Sequence, residues 1–318
     1  MTIELRLTDV DPPTADPPRT IYHDISSLPD PVIQGITIRY FNYDDVSLYF
    51  KITGSGTGYT FTPATLGLLA SAANAYKNLD NFASRARPTV AQLPNGEMGE
   101  TIILTLTAYT DSGYTNLKWT FNRTVQVIWI NSADAAFTID ELDNFDDGTV
   151  QGWANSIIKT VDDGYLTLAV ATDYVLSAQY SLKSVFMYDT TGHAGYIIIG
   201  EYAQALYKTF TLPNRTNIYA VFDIRVTSSG TSGNKIGIEY LQFKANDIAT
   251  LIKLGFLNSY TDQIPRNRWI RVVIPLGSYK NASTELRIIL DAYSNTYYAG
   301  ANVAVCTIWI DDFKIISK

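Results

Sequence analysis

The amino-acid sequence predicts an all-β protein. Alternating polar and apolar residues recur along the chain, tyrosine, which favours strands, occurs 22 times, and one segment alone has a helical pattern. At 318 residues the chain is long enough for about two domains. Its apolar fraction of 46% is normal for a chain that buries a core.

The distribution of charge argues against a nucleic-acid partner. The net charge is −7, and residues 1–143 hold 9 basic and 16 acidic side chains, whereas residues 144–318 hold 15 of each. Binding of phosphate backbones requires a basic surface, which this chain lacks. No apolar run approaches the ~18 residues of a transmembrane helix, so we expect no membrane insertion. The single cysteine, Cys306, excludes an internal disulfide.

Residues 1–31 predict a strand followed by a proline-rich arm. Ile3, Leu5 and Leu7 alternate with polar residues, as in a strand. Proline lacks an N–H and fixes φ, so the following stretch suits an extended arm or a sheet edge. Six of the 12 prolines lie there: Pro12, Pro13, Pro17, Pro18, Pro29 and Pro31. We expect this arm to reach a neighbouring sheet or a neighbouring subunit, which predicts a homo-oligomer.

Residues 32–131 predict four strands and one helix. The strands cover residues 32–41, 46–53, 99–110 and 114–131. The helix would start with Thr62 as N-cap and Pro63 in its first turn, and end near Asp80. Asp111 and Gly113 lie in a turn that suits a hairpin between the last two strands.

This last hairpin, whose first strand and turn read TIILTLTAYTDSG, resembles the end of immunoglobulin-like and PKD-like modules. In such modules a strand of alternating threonine and leucine enters an Asp-x-x-Gly turn. The resemblance implies an immunoglobulin-like β-sandwich over residues 32–131, followed by a linker at residues 132–143. The predicted helix departs from the compact form of these modules.

Residues 144–318 carry four motifs whose order is informative. They are NFDDGTVQGW from residue 144, SAQYSLKS from residue 177, RNRWIRVVIPL from residue 266 and CTIWIDDFKI from residue 306. This order resembles the galactose-binding-like jelly-roll carbohydrate-binding modules, although Ala178 stands where they usually have glycine. The resemblance implies a jelly-roll β-sandwich over residues 144–318 that follows the immunoglobulin-like one, and a glycan as ligand.

The same resemblance implies a structural calcium ion that joins the first and last strands of the jelly roll. Asp146 takes the place of the acidic residue after the motif phenylalanine, and Asp311 that of the first aspartate on the final strand. Carboxylate oxygens are ligands that Ca²⁺ prefers. The alternative is that both acids cap turns or face solvent.

Two surfaces of this domain are candidates for ligand binding. Strand alternation assigns one set to the outer face of a sheet, where carboxylate, guanidinium and aromatic groups suit a hydroxyl-rich ligand. The set is Asp223, Arg225, Glu239, Arg287, Asp291 and Tyr293. The alternative is a solvated face with cross-strand ion pairs. The second candidate is a pair of loops, residues 188–196 and 293–300, where Tyr297 and Tyr298 would contact glycan or protein.

No motif predicts catalysis. Neighbouring acids such as Asp162 and Asp163 would point to opposite faces of a strand, and the glycine-rich segments lack phosphate-loop and nucleophile-elbow patterns. We therefore interpret the chain as a non-catalytic adhesion or structural protein, for example of a virion surface, that binds glycans or cell-surface or virion proteins. Residues 1–10 show no signal-peptide core, and we expect an extracellular or virion-surface location. The alternative is an accessory carbohydrate-binding region of a secreted glycoside hydrolase.

Overall fold

The structure is a computed structural model, and it confirms the all-β class. It describes residues 2–7, 19–27, 35–40, 47–56, 59–69, 75–80, 82–85, 91–92, 98–157, 165–177, 179–189, 196–198, 204–230, 240–245, 249–255, 262–263, 267–279, 285–293, 297–299 and 303–318. In these segments every regular element is a strand except two short 3₁₀ turns, Ile25–Ser27 and Gly277–Tyr279. No helix within them has the length and hydropathy needed to cross a membrane. The chain divides into two units, Met1–Asn131 and Ser132–Lys318.

The strands of the first unit form a main sheet and two smaller groups. The strands are β1 (Thr2–Leu7), β2 (Arg19–Asp24), β3 (Gly35–Tyr40), β4 (Leu48–Ser55), β5 (Tyr59–Phe61), β6 (Ala64–Leu69), β7 (Ala75–Asp80), β8 (Ala83–Arg85), β9 (Ala91–Gln92), β10 (Met98–Tyr109) and β11 (Leu117–Ile130). The main sheet has the order β2-β11-β10-β4-β6, with β9 also paired to β10. Strand β3 lies between β1 and β7, and β5 pairs with β8.

Buried and more exposed residues alternate along β4 and β10, and the buried ones form the core of the first unit. Ile102, Leu104 and Leu106 of β10 are fully buried, and Phe50 and Ile52 of β4 pack in the same cluster. The residues between them point to the other face of the sheet, because successive side chains of a strand alternate. The four strands expected between residues 32 and 131 correspond to β3, β4, β10 and β11 and are confirmed.

The helix predicted from Thr62 to Asp80 is wrong. This segment contains β6, which pairs with β4, and β7, which pairs with β3. Gly67 within β6 has a φ of +66°, a left-handed conformation that a right-handed helix does not contain. Leu66 is buried in the core beside β4, so burial and pairing with distant strands outweigh the local helical propensity.

Both strands of the N-terminal arm pair inside the first unit of their own chain. Strand β2 runs parallel to β11 and lies at the end of the main sheet, which agrees with the expected edge position. Ile21 of β2 is buried in the core. Strand β1 runs parallel to β3. The six prolines of the arm lie outside the described residues, and the homo-oligomer stays a prediction.

The second unit contains two six-stranded sets. The strands are β12 (Thr138–Asp143), β13 (Ala154–Ile157), β14 (Tyr165–Ala171), β15 (Ser181–Asp189), β16 (Tyr196–Ile198), β17 (Gln204–Thr211), β18 (Ile218–Gly230), β19 (Tyr240–Ala245), β20 (Ala249–Gly255), β21 (Asp262–Gln263), β22 (Trp269–Pro275), β23 (Glu285–Tyr293), β24 (Tyr297–Ala299) and β25 (Val303–Ser317). One set has the order β14-β15-β25-β18-β22, with β12 also on β25. The other runs β13-β17-β23-β19-β20-β21, and β16 pairs with β24. We call the first set the β25 sheet and the second the β23 sheet.

Both sheets contribute to one core. Phe222 and Ile308 come from the β25 sheet, and Leu206 and Phe210 come from the β23 sheet. The rings of Phe210 and Phe313 stack with centroids 5.3 Å apart. Two sheets that share a core form a β-sandwich. The order of an immunoglobulin-like sandwich before a jelly roll stays a prediction.

The segment predicted as a linker, residues 132–143, is in part a strand of the second unit. Its second half is β12, which pairs with the end of β25. Lys208 Nζ of β17 donates hydrogen bonds to both carboxylate oxygens of Asp143, at 2.6 and 2.8 Å, and to Glu141 at 2.8 Å. Burial raises the pKa of Asp143, and Lys208 opposes this increase. Because β12 and β17 lie in different sheets, this cluster joins the two layers of the sandwich.

Candidate functional site

Four side chains lie in one row across the outer face of the β25 sheet. Lys183 of β15 is opposite Trp309 of β25, which is opposite Arg225 of β18, which is opposite Trp269 of β22. Alternation directs them away from the core, because the residues beside them, such as Ile224, pack inside it. With strands about 4.8 Å apart, the row spans about 14 Å. We call these four residues the aromatic row.

Tyr174, in the loop between β14 and β15, lies on the aromatic row. Its ring meets that of Trp309 edge to face, with centroids 4.8 Å apart and planes at 75°. The guanidinium carbon of Arg225 lies 4.0 Å from the centre of the Tyr174 ring. Trp309 is buried by these contacts, while Tyr174 remains 40% exposed. The two contacts hold an exposed aromatic ring in a fixed position on the sheet.

Asp173 links the same loop to the row through a second set of contacts. Its carboxylate accepts a hydrogen bond from Trp309 Nε1 at 3.0 Å and one from Lys183 Nζ at 2.6 Å. Partial burial opposes ionisation of Asp173, but the hydrogen bonds from Lys183 and Trp309 lower its pKa. The Asp173–Lys183 pair is partly exposed to solvent. Polar groups therefore lie directly beside the exposed ring.

Asp311 of β25 holds the loop between β14 and β15 through hydrogen bonds. Its side chain is fully buried, and both of its oxygens accept hydrogen bonds. One accepts from the backbone N–H groups of Leu176 and Ser177, at 2.8 and 3.0 Å. The other accepts from the Ser177 hydroxyl at 2.7 Å and from the backbone N–H of Asp312 at 2.8 Å. Four donors and no acceptor fit an ionised carboxylate, which fixes the loop that carries Tyr174.

Asp146 holds the far end of the same loop. One of its oxygens accepts a hydrogen bond from the backbone N–H of Gln179 at 3.2 Å, and the other accepts from the Asn144 side chain at 3.1 Å. The motif that contains Asp146 is a tight turn in which Phe145 and Gly148 have positive φ. Asp146 and Asp311 therefore both hold the loop between β14 and β15, and they do so through hydrogen bonds.

The two carboxylates as placed do not fit a calcium site. Each oxygen of Asp311 accepts two hydrogen bonds, so this carboxylate has no lone pair left to direct at an ion. Among the described residues, no group of three or more histidine, cysteine, aspartate or glutamate side chains is arranged to hold a metal. We assign both acids to hydrogen bonding of the loop, and the calcium ion stays a prediction.

Asp223, predicted as an exposed ligand contact, is buried, with 3% of its surface accessible. It does point to the outer face, but both of its oxygens are bound by Arg271. Arg271 also donates to Asp312 at 3.0 Å, and Lys314 lies 3.5 Å from the same carboxylate. Burial raises the pKa of Asp223, Arg271 opposes this, and the nearby Asp312 and Asp311 add to the increase. Asp223 is thus part of an ion-pair network and is covered by its partners.

The predicted outer face is divided between two sheets. Arg225 belongs to β18 in the β25 sheet, whereas Arg287, Asp291 and Tyr293 belong to β23 in the other sheet. Glu239 lies outside the described residues. The expectation of one continuous face is therefore wrong, because alternation assigns a residue to a side of its strand but does not identify the sheet. Of the predicted set, Arg225 alone lies in the aromatic row.

The two tyrosine-rich loops are brought together by the fold. Strand β16 from the first and strand β24 from the second pair antiparallel, with Ile197 opposite Tyr298 and Ile198 opposite Tyr297. The segments therefore lie side by side as a small two-stranded sheet. This places Tyr297 and Tyr298 in a strand rather than in a loop, and their contact with a ligand stays a prediction.

Sequence reasoning missed most of the aromatic row. No tryptophan was among the predicted contacts, but Trp269 and Trp309 both face outward. The signal was present in the alternation of WIRVVI and TIWI, where each tryptophan stands out of phase with buried isoleucines. The position of Tyr174 had no such signal, since it depends on contacts of the loop with β25 and β18.

No protein-family model matches the chain, and no curated protein shows a significant match. Several solved structures are similar to it. One is a carbohydrate-binding module of the β-sandwich superfamily studied for promiscuous specificity, with 14% identity, a TM-score of 0.35, and coverage of 86% of this chain and 87% of that chain. A second is TmCBM61 in complex with β-1,4-galactotriose, with 12% identity, a TM-score of 0.31, and coverage of 55% and 94%. A third is a candidate sugar-binding protein from Bacteroides thetaiotaomicron, with 14% identity, a TM-score of 0.25, and coverage of 54% and 89%.

Two of these structures are carbohydrate-binding modules, and the third is a candidate sugar-binding protein. At TM-scores below 0.5 the similarity carries no argument about fold or function.

Proposed function

We propose that the chain is a non-catalytic glycan-binding protein and that the aromatic row with Tyr174 is its binding face. The observation that carries the proposal is the exposed Tyr174 ring, held on the sheet by Arg225 and Trp309. A sugar ring has an apolar face of C–H groups that packs on an aromatic ring and a rim of hydroxyls that needs polar partners. Both kinds of group are present on this face.

The fixed position of Tyr174 favours binding. Ordering a free side chain on association costs about 0.5–1.5 kcal/mol, and here the folded protein has already ordered the ring. Asp173 and Lys183 lie beside it, and their charged groups can form strong hydrogen bonds with hydroxyls. The half-buried Trp269 at the other end of the row extends the aromatic surface beyond a single sugar ring.

We propose attachment to glycan-bearing surfaces as the setting of this binding, with an adhesion or structural role at an extracellular or virion surface. The measured mass in solution separates this role from that of an accessory region of a glycoside hydrolase. A symmetric multimer supports attachment, because several weak sites on one particle bind together. A monomer supports the accessory role.

A broad glycan array followed by titration of the best ligand tests the proposal. Arg225→Ala removes the guanidinium under Tyr174 and should weaken binding about tenfold or more, as loss of a buried interface anchor does. Arg287→Ala is the matched control, since it removes the same charge from the other sheet and should leave the affinity unchanged. The proposal fails if Arg287→Ala abolishes binding and Arg225→Ala does not, or if no glycan class binds.

A further inference from the structure

A second cluster of aromatic side chains lies on the outer face of the main sheet of the first unit. Tyr49 of β4 is directly opposite Tyr109 of β10, and both alternate with buried core residues. Tyr114, from the turn after β10, meets Tyr49 and Tyr109 edge to face at 6.0 and 5.6 Å. Lys51 Nζ lies 4.7 Å from the centre of the Tyr114 ring and 5.1 Å from that of Tyr109. We call these four residues the Lys51 cluster.

The ammonium group of Lys51 is held by rings alone among the described residues. No described carboxylate forms an ion pair with it, and its contacts are the two tyrosine faces. Asp111, the acid of the adjacent turn, accepts hydrogen bonds from Thr115 and Asn116. These backbone hydrogen bonds lower the pKa of Asp111. The positive charge of Lys51 is therefore available to an anion from outside.

Tyr114 is held in place by the backbone around it. Its φ of 55° is left-handed, which is an outlier for a bulky residue. The N–H of Gly67 in β6 donates a hydrogen bond to the Tyr114 hydroxyl at 3.2 Å. Strained conformations of this kind persist where the surroundings fix them, and they are concentrated at binding sites.

The surface around the cluster is apolar and exposed. Leu68 lies opposite Tyr49 and is 52% exposed, and Leu117 lies opposite Tyr109 and is 61% exposed. With Tyr49 and Tyr109 they form a row across four neighbouring strands. A flat apolar row with a cation on it matches a sugar ring that carries a carboxylate, because the ring packs on the row and the carboxylate pairs with the ammonium.

We propose that the Lys51 cluster is a binding site for acidic sugars, namely hexuronate or sialate residues. It is separate from the aromatic row, and the proposal uses residues of the first unit alone. The carboxylate of the sugar would accept hydrogen bonds from Lys51 Nζ beside the Tyr114 ring. Pairing with a single ammonium also predicts that added salt weakens the binding.

Titration of the full chain with two acidic probes and their neutral counterparts tests this site. The first pair is trigalacturonate and its methyl ester, and the second is 3′-sialyllactose and lactose. We expect one acid or both to bind at least about tenfold more tightly than the neutral counterpart. The preferred pair identifies the source of the carboxylate. The proposal is overturned if neither acid binds more tightly than its neutral counterpart. This comparison uses the wild-type chain, so it does not depend on the folding of a variant.

Two variants then locate the binding. Lys51→Gln keeps the side-chain stem and removes the charge, and it should abolish the preference for the acid. Lys318→Gln is the matched control, because Lys318 Nζ also lies over an aromatic ring, that of Phe137 at 4.6 Å, but in the second unit. Acid binding that survives in Lys51→Gln, or that is lost in Lys318→Gln, overturns the assignment. Tyr174→Ala should leave this binding intact, which separates it from the proposed function.

Discussion

Replacement of Asp311 by asparagine should destabilise the second unit by about 3 kcal/mol. The carboxylate accepts four hydrogen bonds while fully buried. In its best orientation the amide keeps its oxygen toward Leu176 and Ser177 and turns its NH₂ toward the Ser177 hydroxyl, which can accept. The N–H of Asp312 then loses its acceptor, and a hydrogen bond to a charged group contributes about 1.5–3 kcal/mol. The remaining bonds also lose the charge that strengthens them.

Thermal and urea unfolding followed by circular dichroism measure this change. For a unit of this size, about 3 kcal/mol corresponds to a fall in Tm of roughly 6–12 °C. Asp312→Asn is the matched control, since Asp312 is partly exposed and asparagine tolerates its φ of 49°. Loss of the Asp312 charge should lower the free energy of unfolding by less than about 1 kcal/mol. Equal small shifts in both variants would refute the role given to Asp311.

Three further predictions concern calcium, pH and the N-terminal arm. If hydrogen bonds alone hold the loop between β14 and β15, a chelator should leave the Tm unchanged. A clear fall in Tm would instead support a calcium site at Asp146. The pKa of Asp223 is raised in the folded state, so protonation of this carboxyl stabilises the fold. This stabilisation is complete below the pKa of the unfolded chain, about 3.9, and is lost as the pH rises through the pKa of the folded protein. Relative to Asp223→Asn, the wild type should therefore gain stability as pH falls from 7 toward 4, and a loss would contradict the assigned cause. Deletion of residues 1–31 removes Ile21 and the edge strand, so it should unfold the first unit. An unchanged melting curve would show that the arm is dispensable, and the mass of the intact chain tests the oligomer.

The alternation of polar and apolar residues was sufficient to predict features that depend on one strand or on two strands adjacent in sequence. The alternation around Phe222, Ile224 and Val226 predicted an inner face, and all three side chains are fully buried. The hairpin around Asp111 was likewise visible, because its turn and both strands are adjacent in sequence. In each case the information needed lies within one continuous segment of the sequence.

The sequence pattern did not predict burial, secondary structure or loop position where these depend on strands that are distant in sequence. Asp223 alternates like an exposed residue, but Arg271 on the neighbouring strand covers it. The segment around Leu66 has helical spacing, yet pairing with β4 makes it a strand. Tyr174 lies in an irregular loop, and its position depends on Asp311, which is 137 residues away in sequence. No periodicity encodes such a contact.

The most direct test of the glycan-binding face compares Tyr174→Ala with Leu176→Ala by calorimetric titration of the ligand found on the array. Leu176 is exposed in the same loop, and its N–H, rather than its side chain, makes the bond to Asp311. We predict that Tyr174→Ala still unfolds cooperatively but binds at least about tenfold more weakly, as loss of an aromatic anchor does, and that Leu176→Ala binds like the wild type. Wild-type affinity in Tyr174→Ala would contradict the account.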